Sequence, residues 1–329
     1  MPTRQEPPWT RLVVGLLLPF SLFAVLAGCV RDQPVVIASQ VWVGFEPMFM
    51  ARALGWLDPN RVVLYETASG SASLEALLDG RVDGAALTLD EVLRMREQGM
   101  DLTVVLVFNV SAGADMVLAR PPLSGLADMA GQRVAFEHGA VGELLVSQAL
   151  RRAGLSLSDI VALDVAVDRH YEVWQTGAAD IVVTYEPTAS RLLEAGAINL
   201  FDSRELPDTI VDVLALRTER LGRRQDAAIT HLIESHLKAL DHLHRNPQDA
   251  AYRMAGRLEL PPGEVLRAYR GLVLPDLASN ERLLRARVPA LQETARELLA
   301  FKRERGLIAG TDDLRGLIDG RFLPAEASR

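Results

Sequence analysis

One cysteine in 329 residues, Cys29, rules out an internal disulfide, so any fold must be held by its core alone. Lysine is almost as scarce, with only Lys238 and Lys302, both in predicted C-terminal helices. Positive charge is short overall: the formal net charge is -8. That argues against a nucleic-acid partner, because neutralising phosphates needs a basic face. After the first 28 residues no apolar run approaches the ~20 residues of a spanning helix. No His-x-x-x-His or cysteine cluster suggests a metal. His231 and His236 stand five apart and His242 and His244 point to different helix faces, so all read as solvated helix residues. No low-complexity linker follows residue 34.

What is present begins with a processing signal. Arg4 and Arg11 precede an apolar stretch from Leu12 to Val25, which closes on Leu26-Ala27-Gly28-Cys29. A positive region, an apolar region and small residues at the end are the zones of a secretory signal. The Leu-Ala-Gly-Cys ending resembles a bacterial lipobox, which implies a lipid anchor on Cys29. Residues 1–28 then form the signal peptide and 29–34 a tether. Removing Arg4, Arg11 and Glu6 leaves the mature chain one unit more negative. At about 300 residues, that chain is long enough for two lobes.

From Val35 onward, β-rich runs alternate with helical ones. Strands are expected at Val35–Ala38, Arg61–Tyr65, Val82–Leu87, Leu102–Val107, Arg133–Phe136, Ile160–Val165 and Asp180–Val183. Helices are expected over Pro47–Leu54, Ser71–Leu78, Asp90–Gln98, Gly142–Ala153, Tyr171–Thr176 and Thr188–Ala195. This grammar predicts mainly parallel sheets with both faces covered, an α/β fold. An internal echo supports two similar lobes: Gly80 and Gly177, Asp83 and Asp180, and Gly99 and Gly196 share an offset of 97. Asp83 and Asp180 are expected to bond turn backbone. After Glu219 the pattern turns helical: Ala227–His244, Pro247–Arg257, Pro262–Arg270, Val288–Arg305 and Asp312–Ile318 read as amphipathic helices with no strand among them.

Several segments together resemble one family. They are Trp42-Val43-Gly44-Phe45-Glu46-Pro47, Leu87-Thr88-Leu89-Asp90, Ser111-Ala112-Gly113-Ala114-Asp115, Leu126 to Val134 followed by Glu137-x-Gly139, Thr184-Tyr185-Glu186-Pro187, and Ile210 to Leu214. In order and spacing they are similar to the substrate-binding lipoproteins of ABC importers in the nitrate, sulfonate and taurine group, which also includes thiamine-precursor pyrimidine binders. The resemblance implies a type II periplasmic-binding-protein fold. Lobe 1 would be 35–115 with 213–329 and lobe 2 would be 116–212, closing on a ligand by a hinge. It also implies a monomer delivering its ligand to an ABC permease in the membrane, with no cofactor. Val107–Ala119 and Ser203–Leu214 are the expected crossings between lobes.

In open α/β sheets, ligands meet the carboxyl ends of strands. The candidate ligand-binding residues there and in the crossings are Trp42, Glu46, Ser69, Thr88, Asp90, Ser111, Asp115, Glu137, His138, Tyr185, Glu186 and Asp212, with Ser111, Asp115 and Asp212 from the crossings. Ser71 and Gly139 lie beside them. Ser69, Ser71, Thr88 and Asp90 read equally well as helix N-caps, and Trp42 as core. Six of the candidates are carboxylates, set against His138 and the neighbouring Arg169 and His170. Such an array favours a cationic or amino-heteroaromatic ligand, with Trp42 and Tyr185 as cation–π faces. An anion remains the alternative, if half the carboxylates cap helices or pair with arginine and backbone N–H groups at Gly139 to Gly142 take the charge. No catalytic set emerges. The rival functions are an extracytoplasmic enzyme using Glu137 or Glu186 as general base, and a ligand-sensing lipoprotein.

Overall fold

Val35–Ser39 (β1) lies between Val62–Glu66 (β2) and Gly84–Thr88 (β3) and runs parallel to both. This comes from a computed structural model that describes residues 33–304 and 312–325. Cys29, the signal segment and most of the tether lie outside the described residues. The strands are short apolar runs because both faces are covered: all five residues of β3 are buried. Leu102–Ser111 (β4) and Val211–Arg217 (β10) join the same sheet, with β10 antiparallel to both β3 and β4. With Leu272–Val273 (β11) the order becomes β2-β1-β3-β10-β4-β11. The second sheet holds Asp115–Ala119 (β5), Arg133–Phe136 (β6), Val161–Asp164 (β7), Ile181–Tyr185 (β8) and Ile198–Asp202 (β9), in the order β7-β6-β8-β5-β9.

Each sheet is therefore parallel in its first three strands and turns antiparallel where the chain changes sheet. The sequence reading contained no strand β5, β9 or β10, nor the two-residue β11 in the region expected to hold helices alone. β5 fell inside the first expected crossing, β9 just before the second and β10 across the second's end, and composition does not say which sheet a strand joins. The chain passes from β4 to β5 through Ala112, Gly113 and Ala114, and from β9 to β10 through Ser203 to Ile210. The two passages are laced together. Ser111 Oγ and Ser203 Oγ lie 2.7 Å apart, Gly113 N donates to Ser203 Oγ at 2.6 Å, and Ser111 N donates to Ile210 O at 2.9 Å.

The internal echo reappears in three dimensions. Gly80 and Gly177 adopt φ 69° and 70°, and Gly99 and Gly196 adopt φ 90° and 89°, a region glycine enters without steric cost. Asp83 Oδ2 accepts from Val36 N at 2.8 Å, and Asp180 Oδ2 accepts from Arg133 N at 3.0 Å. Each aspartate thus bonds the neighbouring strand's backbone rather than its own turn. Arg217 N donates to Asp83 O and Arg120 N to Asp180 O, both at 3.0 Å. Each sheet is thereby completed by a strand arriving from the other.

The C-terminal helices Arg223–Arg245, Pro247–Leu258, Pro262–Ala268, Leu277–Leu284 and Ala290–Glu304 pack on the first sheet's side of the chain. Three corrections arise here. The expected helix over Asp312–Ile318 is a turn followed by extended chain: Val104 N donates to Leu317 O at 2.7 Å, and Ile318 bridges Val104. Leu277–Leu284, absent from the sequence reading, is a helix started by Asp276, whose carboxylate accepts from Ser279 N. His236, read as solvated, is 1% exposed and packs edge-on against Phe108 at 4.9 Å. Burial holds its pKa down to about 3, so it is a neutral core residue.

Asn280 fixes the Leu277–Leu284 helix to β4. Its Oδ1 accepts from Val107 N at 2.8 Å and its Nδ2 donates to Val107 O at 3.1 Å. Asn280→Ala leaves both buried backbone groups unpaired. It should lower the unfolding free energy by about 2–4 kcal/mol, read from the urea midpoint; a loss under 1 kcal/mol would show that the bracket does not hold the strand.

Candidate ligand-binding cleft

The carboxyl ends of β1, β3, β6 and β8 converge on one cavity between the two sheets. Its walls carry Trp42 after β1, Thr88 at the end of β3, Glu137 after β6 and Tyr185 at the end of β8. Asp115 and Asp212, the first and second residues of β5 and β10, come from the two crossings. Glu91 reaches in from the first turn of the helix Leu89–Glu97, and Gln40, Ala140, Val141 and Ile210 complete most of the lining. The cavity measures about 20 Å³. That is room for about one water, so a larger molecule enters only with the lobes further apart.

Four carboxylates share this space: Glu91, Asp115, Glu137 and Asp212. No lysine or arginine lines it. Burial is the main cause that pushes Glu91 up to about 8, with the neighbouring carboxylate of Glu137 adding to it. Burial likewise raises Asp115 to about 7, with Glu186 adding repulsion. Asp212 is raised well above the usual carboxylate range by burial and by Asp115 and Glu91. Burial also raises Tyr185, so its phenol stays protonated.

The acids are held in place differently. Glu91 Oε2 accepts from Thr88 N at 2.8 Å, while Thr88 Oγ1 accepts from Glu91 N at 3.2 Å, a reciprocal cap. Asp212 Oδ2 accepts from Trp42 Nε1 at 2.9 Å. Glu137 Oε1 accepts from Ser71 N at 2.9 Å, a bond that joins the second sheet's strand end to the helix Gly70–Leu78 of the first. Glu137 Oε2 and Asp115 Oδ2 are buried with no hydrogen-bond partner. Trp42 meets Tyr185 edge to face, centroids 5.2 Å apart. Gly44 is required beside them, because a Cβ there would overlap the Asn109 side chain.

The remaining predicted residues lie elsewhere. Glu46 is buried against Arg257, and burial raises it to about 7. Asp90 pairs with Lys302 at 2.5 Å, both side chains about 5% exposed. Ser69 caps its helix by accepting from Ala72 N, and Ser111 is bonded to Ser203 in the crossing. Glu186 accepts from both the backbone N and the hydroxyl of Ser190, and burial raises it. His138 stands on the surface with its ring 4.0 Å from Glu143. Neither cation weighed beside it reaches the cavity charged: Arg169 pairs with Glu172 on the surface. His170 is buried, its pKa held down to about 4, between Thr184 Oγ1 and Val165 O.

Gln40 and Glu91 line the cavity and were absent from the sequence candidates. Thr88-x-x-Glu91 is legible as a capping box, and that local role concealed the face Glu91 turns to the cleft. A larger hollow of about 630 Å³, bordered by Leu78, Met95, Gly99 and Arg217, lies by the start of β4 and the end of β10, away from the cleft end of the first sheet. Among the described residues no group of three or more His, Cys, Asp or Glu side chains could hold a metal ion. Nor is any helix among them long and apolar enough to cross a membrane.

Known proteins share this architecture. An aliphatic sulfonates-binding protein of Escherichia coli (strain K12) is 26% identical over 300 residues, which is 89% of this chain and 91% of the relative. The crystal structure of the E. coli periplasmic aliphatic sulphonate binding protein matches with a TM-score of 0.67 at 24% identity, over 87% of this chain and 92% of that one. The alkanesulfonate-binding protein of Xanthomonas axonopodis pv. citri, bound to MOPS, matches with a TM-score of 0.71 at 19% identity, over 90% and 98%. The fold is thus the two-lobed type II periplasmic-binding-protein α/β fold. The model of the NMT1-like family matches residues 31–258, more than half of the sequence, and the chain belongs to that family.

Proposed function

We propose that this chain is the extracytoplasmic solute-binding component of an ABC importer, and that it captures a small cationic or amino-heteroaromatic molecule between its lobes. Lobe 1 comprises 35–115 with 213–329 and lobe 2 comprises 116–212. Cys29 carries the lipid anchor, and a membrane permease receives the ligand. The monomer performs no chemistry of its own. The observation that carries the ligand assignment is the lining: four carboxylates and no basic side chain. A sulfonate or nitrate needs guanidinium, hydroxyl or helix N-terminal donors. Of the helix-start donors near this cleft, Gly139 N already donates to Glu143 Oε2 and Ser71 N to Glu137 Oε1, both at 2.9 Å.

Thermal-shift screening of the mature domain tests this, because a ligand that binds only the folded state stabilises it by RT ln(1 + [L]/Kd). Amines and amino-heterocycles should raise the midpoint while taurine, nitrate and alkanesulfonates leave it unchanged. The reverse outcome refutes a cationic ligand. Variants sharpen the assignment. Glu91→Gln should weaken a bound cation about tenfold or more, as expected for loss of a charge-assisted contact. Glu186→Gln should leave affinity within about twofold, because Glu186 is spent on Ser190.

A further inference from the structure

The cleft's two unpartnered carboxylate oxygens limit what the cation can be; a third unpartnered oxygen in the lining, Tyr185 Oη, is a phenol. Asp115 and Glu137 are 3% and 4% exposed, so the missing partners of Asp115 Oδ2 and Glu137 Oε2 are not supplied by bulk water. A buried acceptor without a donor is costly. The other two acids already have donors in Trp42 and Thr88. Both open acceptors belong to the second sheet. Asp115 is the cross-strand partner of Tyr185 on β8, and Glu137 follows β6, the strand on β8's other side. Two strand spacings separate their backbones, about 10 Å across the sheet. One ammonium reaches two oxygens only if they approach within about 6 Å, twice a charge-assisted hydrogen bond. Ala140, Val141, Ile210 and the Trp42 ring supply an apolar surface in the same lining.

Acceptors that start from strands two apart, in a lining that also offers apolar surface, match a molecule that is charged at both ends and apolar in the middle. Resting on the cationic reading above, we propose that the ligand is a dication, with two separate protonated nitrogens joined by a short apolar spacer: one for Asp115, the other for Glu137. Short aliphatic diamines are the simplest members of this class. Repulsion among the four acids strengthens the preference, because a second positive charge offsets a carboxylate that a monocation leaves uncompensated.

The test compares straight-chain α,ω-diamines of three to six carbons with the corresponding monoamines by calorimetric titration of the full mature domain at pH 7.5. At least one diamine should bind tenfold or more tightly than the monoamine of equal length, a gap of about 1.4 kcal/mol. Asp115→Asn and Glu137→Gln should each reduce that ratio to near unity while monoamine affinity changes less; circular dichroism melts establish that the variants are folded. Equal binding of monoamines and diamines overturns the dication and leaves the cation site standing. Binding of alkanesulfonates with no amine binding overturns both. No binding of any diamine overturns the dication.

Discussion

Raising the pH from about 6.5 to 8 should lower the melting temperature of the ligand-free protein by roughly 8 °C. Glu91 sits at about 8, Asp115 and Glu46 at about 7, and Asp212 well above its ordinary value, all chiefly through burial. A carboxyl whose folded pKa is raised holds its proton longer in the native state. Its contribution is complete below the unfolded value near 4 and is lost as pH climbs through the folded one. The buried histidines act in the opposite sense. His170 at about 4 and His236 at about 3 stay neutral in the fold and cost stability only below the unfolded value of about 6.5. Above that point the carboxyls act alone, and at 1.36 kcal/mol per pKa unit they amount to on the order of 4 kcal/mol. Opening of the cleft limits the loss by rehydrating Glu91, Asp115 and Asp212. The same pH window should therefore show a growing radius of gyration by small-angle scattering. A melting temperature that is flat or rises between these pH values would refute protonated acids in the closed cleft.

Lys302→Ala should destabilise the protein by about 3–5 kcal/mol, the usual cost of breaking a buried ion pair from one side. Lys302 Nζ reaches Asp90 Oδ1 at 2.5 Å, and the two side chains are 5% and 6% exposed. Removing the ammonium leaves the Asp90 carboxylate in a low-dielectric setting beside Glu91, whose pKa Asp90 already helps to raise. The double variant Asp90→Asn, Lys302→Met removes both charges and should recover most of the loss, since apolar replacements of buried pairs are often neutral. Urea unfolding of wild type, Asp90→Asn, Lys302→Met and the double yields the coupling. Additive single effects would mean that the pair is not the source of the loss.

The alternation of strands and helices was legible because short β-branched runs ended in glycines that stop helices. Gly80 and Gly177 carry the same φ because they do the same work in the two lobes. The direction of β5 and β10 was not legible, since an apolar run announces a strand without naming its neighbours. Glu137 and Tyr185 could be placed at the cleft from the rule that ligands meet the carboxyl ends of strands, and Asp115 and Asp212 from their place in the expected crossings. Glu46 and Asp90 could not be set aside, because their partners Arg257 and Lys302 stand 211 and 212 positions further along. Glu186 was a different failure: its partner Ser190 is four residues away, and either role fits the local sequence.

The lacing of Ser111 and Gly113 to Ser203 makes the two crossings a single axle. Asp115 and Asp212 are mounted close to that axle, whereas Glu91 and Glu137 sit on the jaws. When such a molecule opens, displacement grows with distance from the axle, so the axle pair stays assembled while the jaw pair parts. An arriving cation would then meet a seat of two acids first and be clasped by the others second. Substitutions at Asp115 or Asp212 should act mainly on how readily the open form catches its ligand. Those at Glu91 or Glu137 should act on how long the closed form retains it, and the division would appear as a split between association rate and residence time.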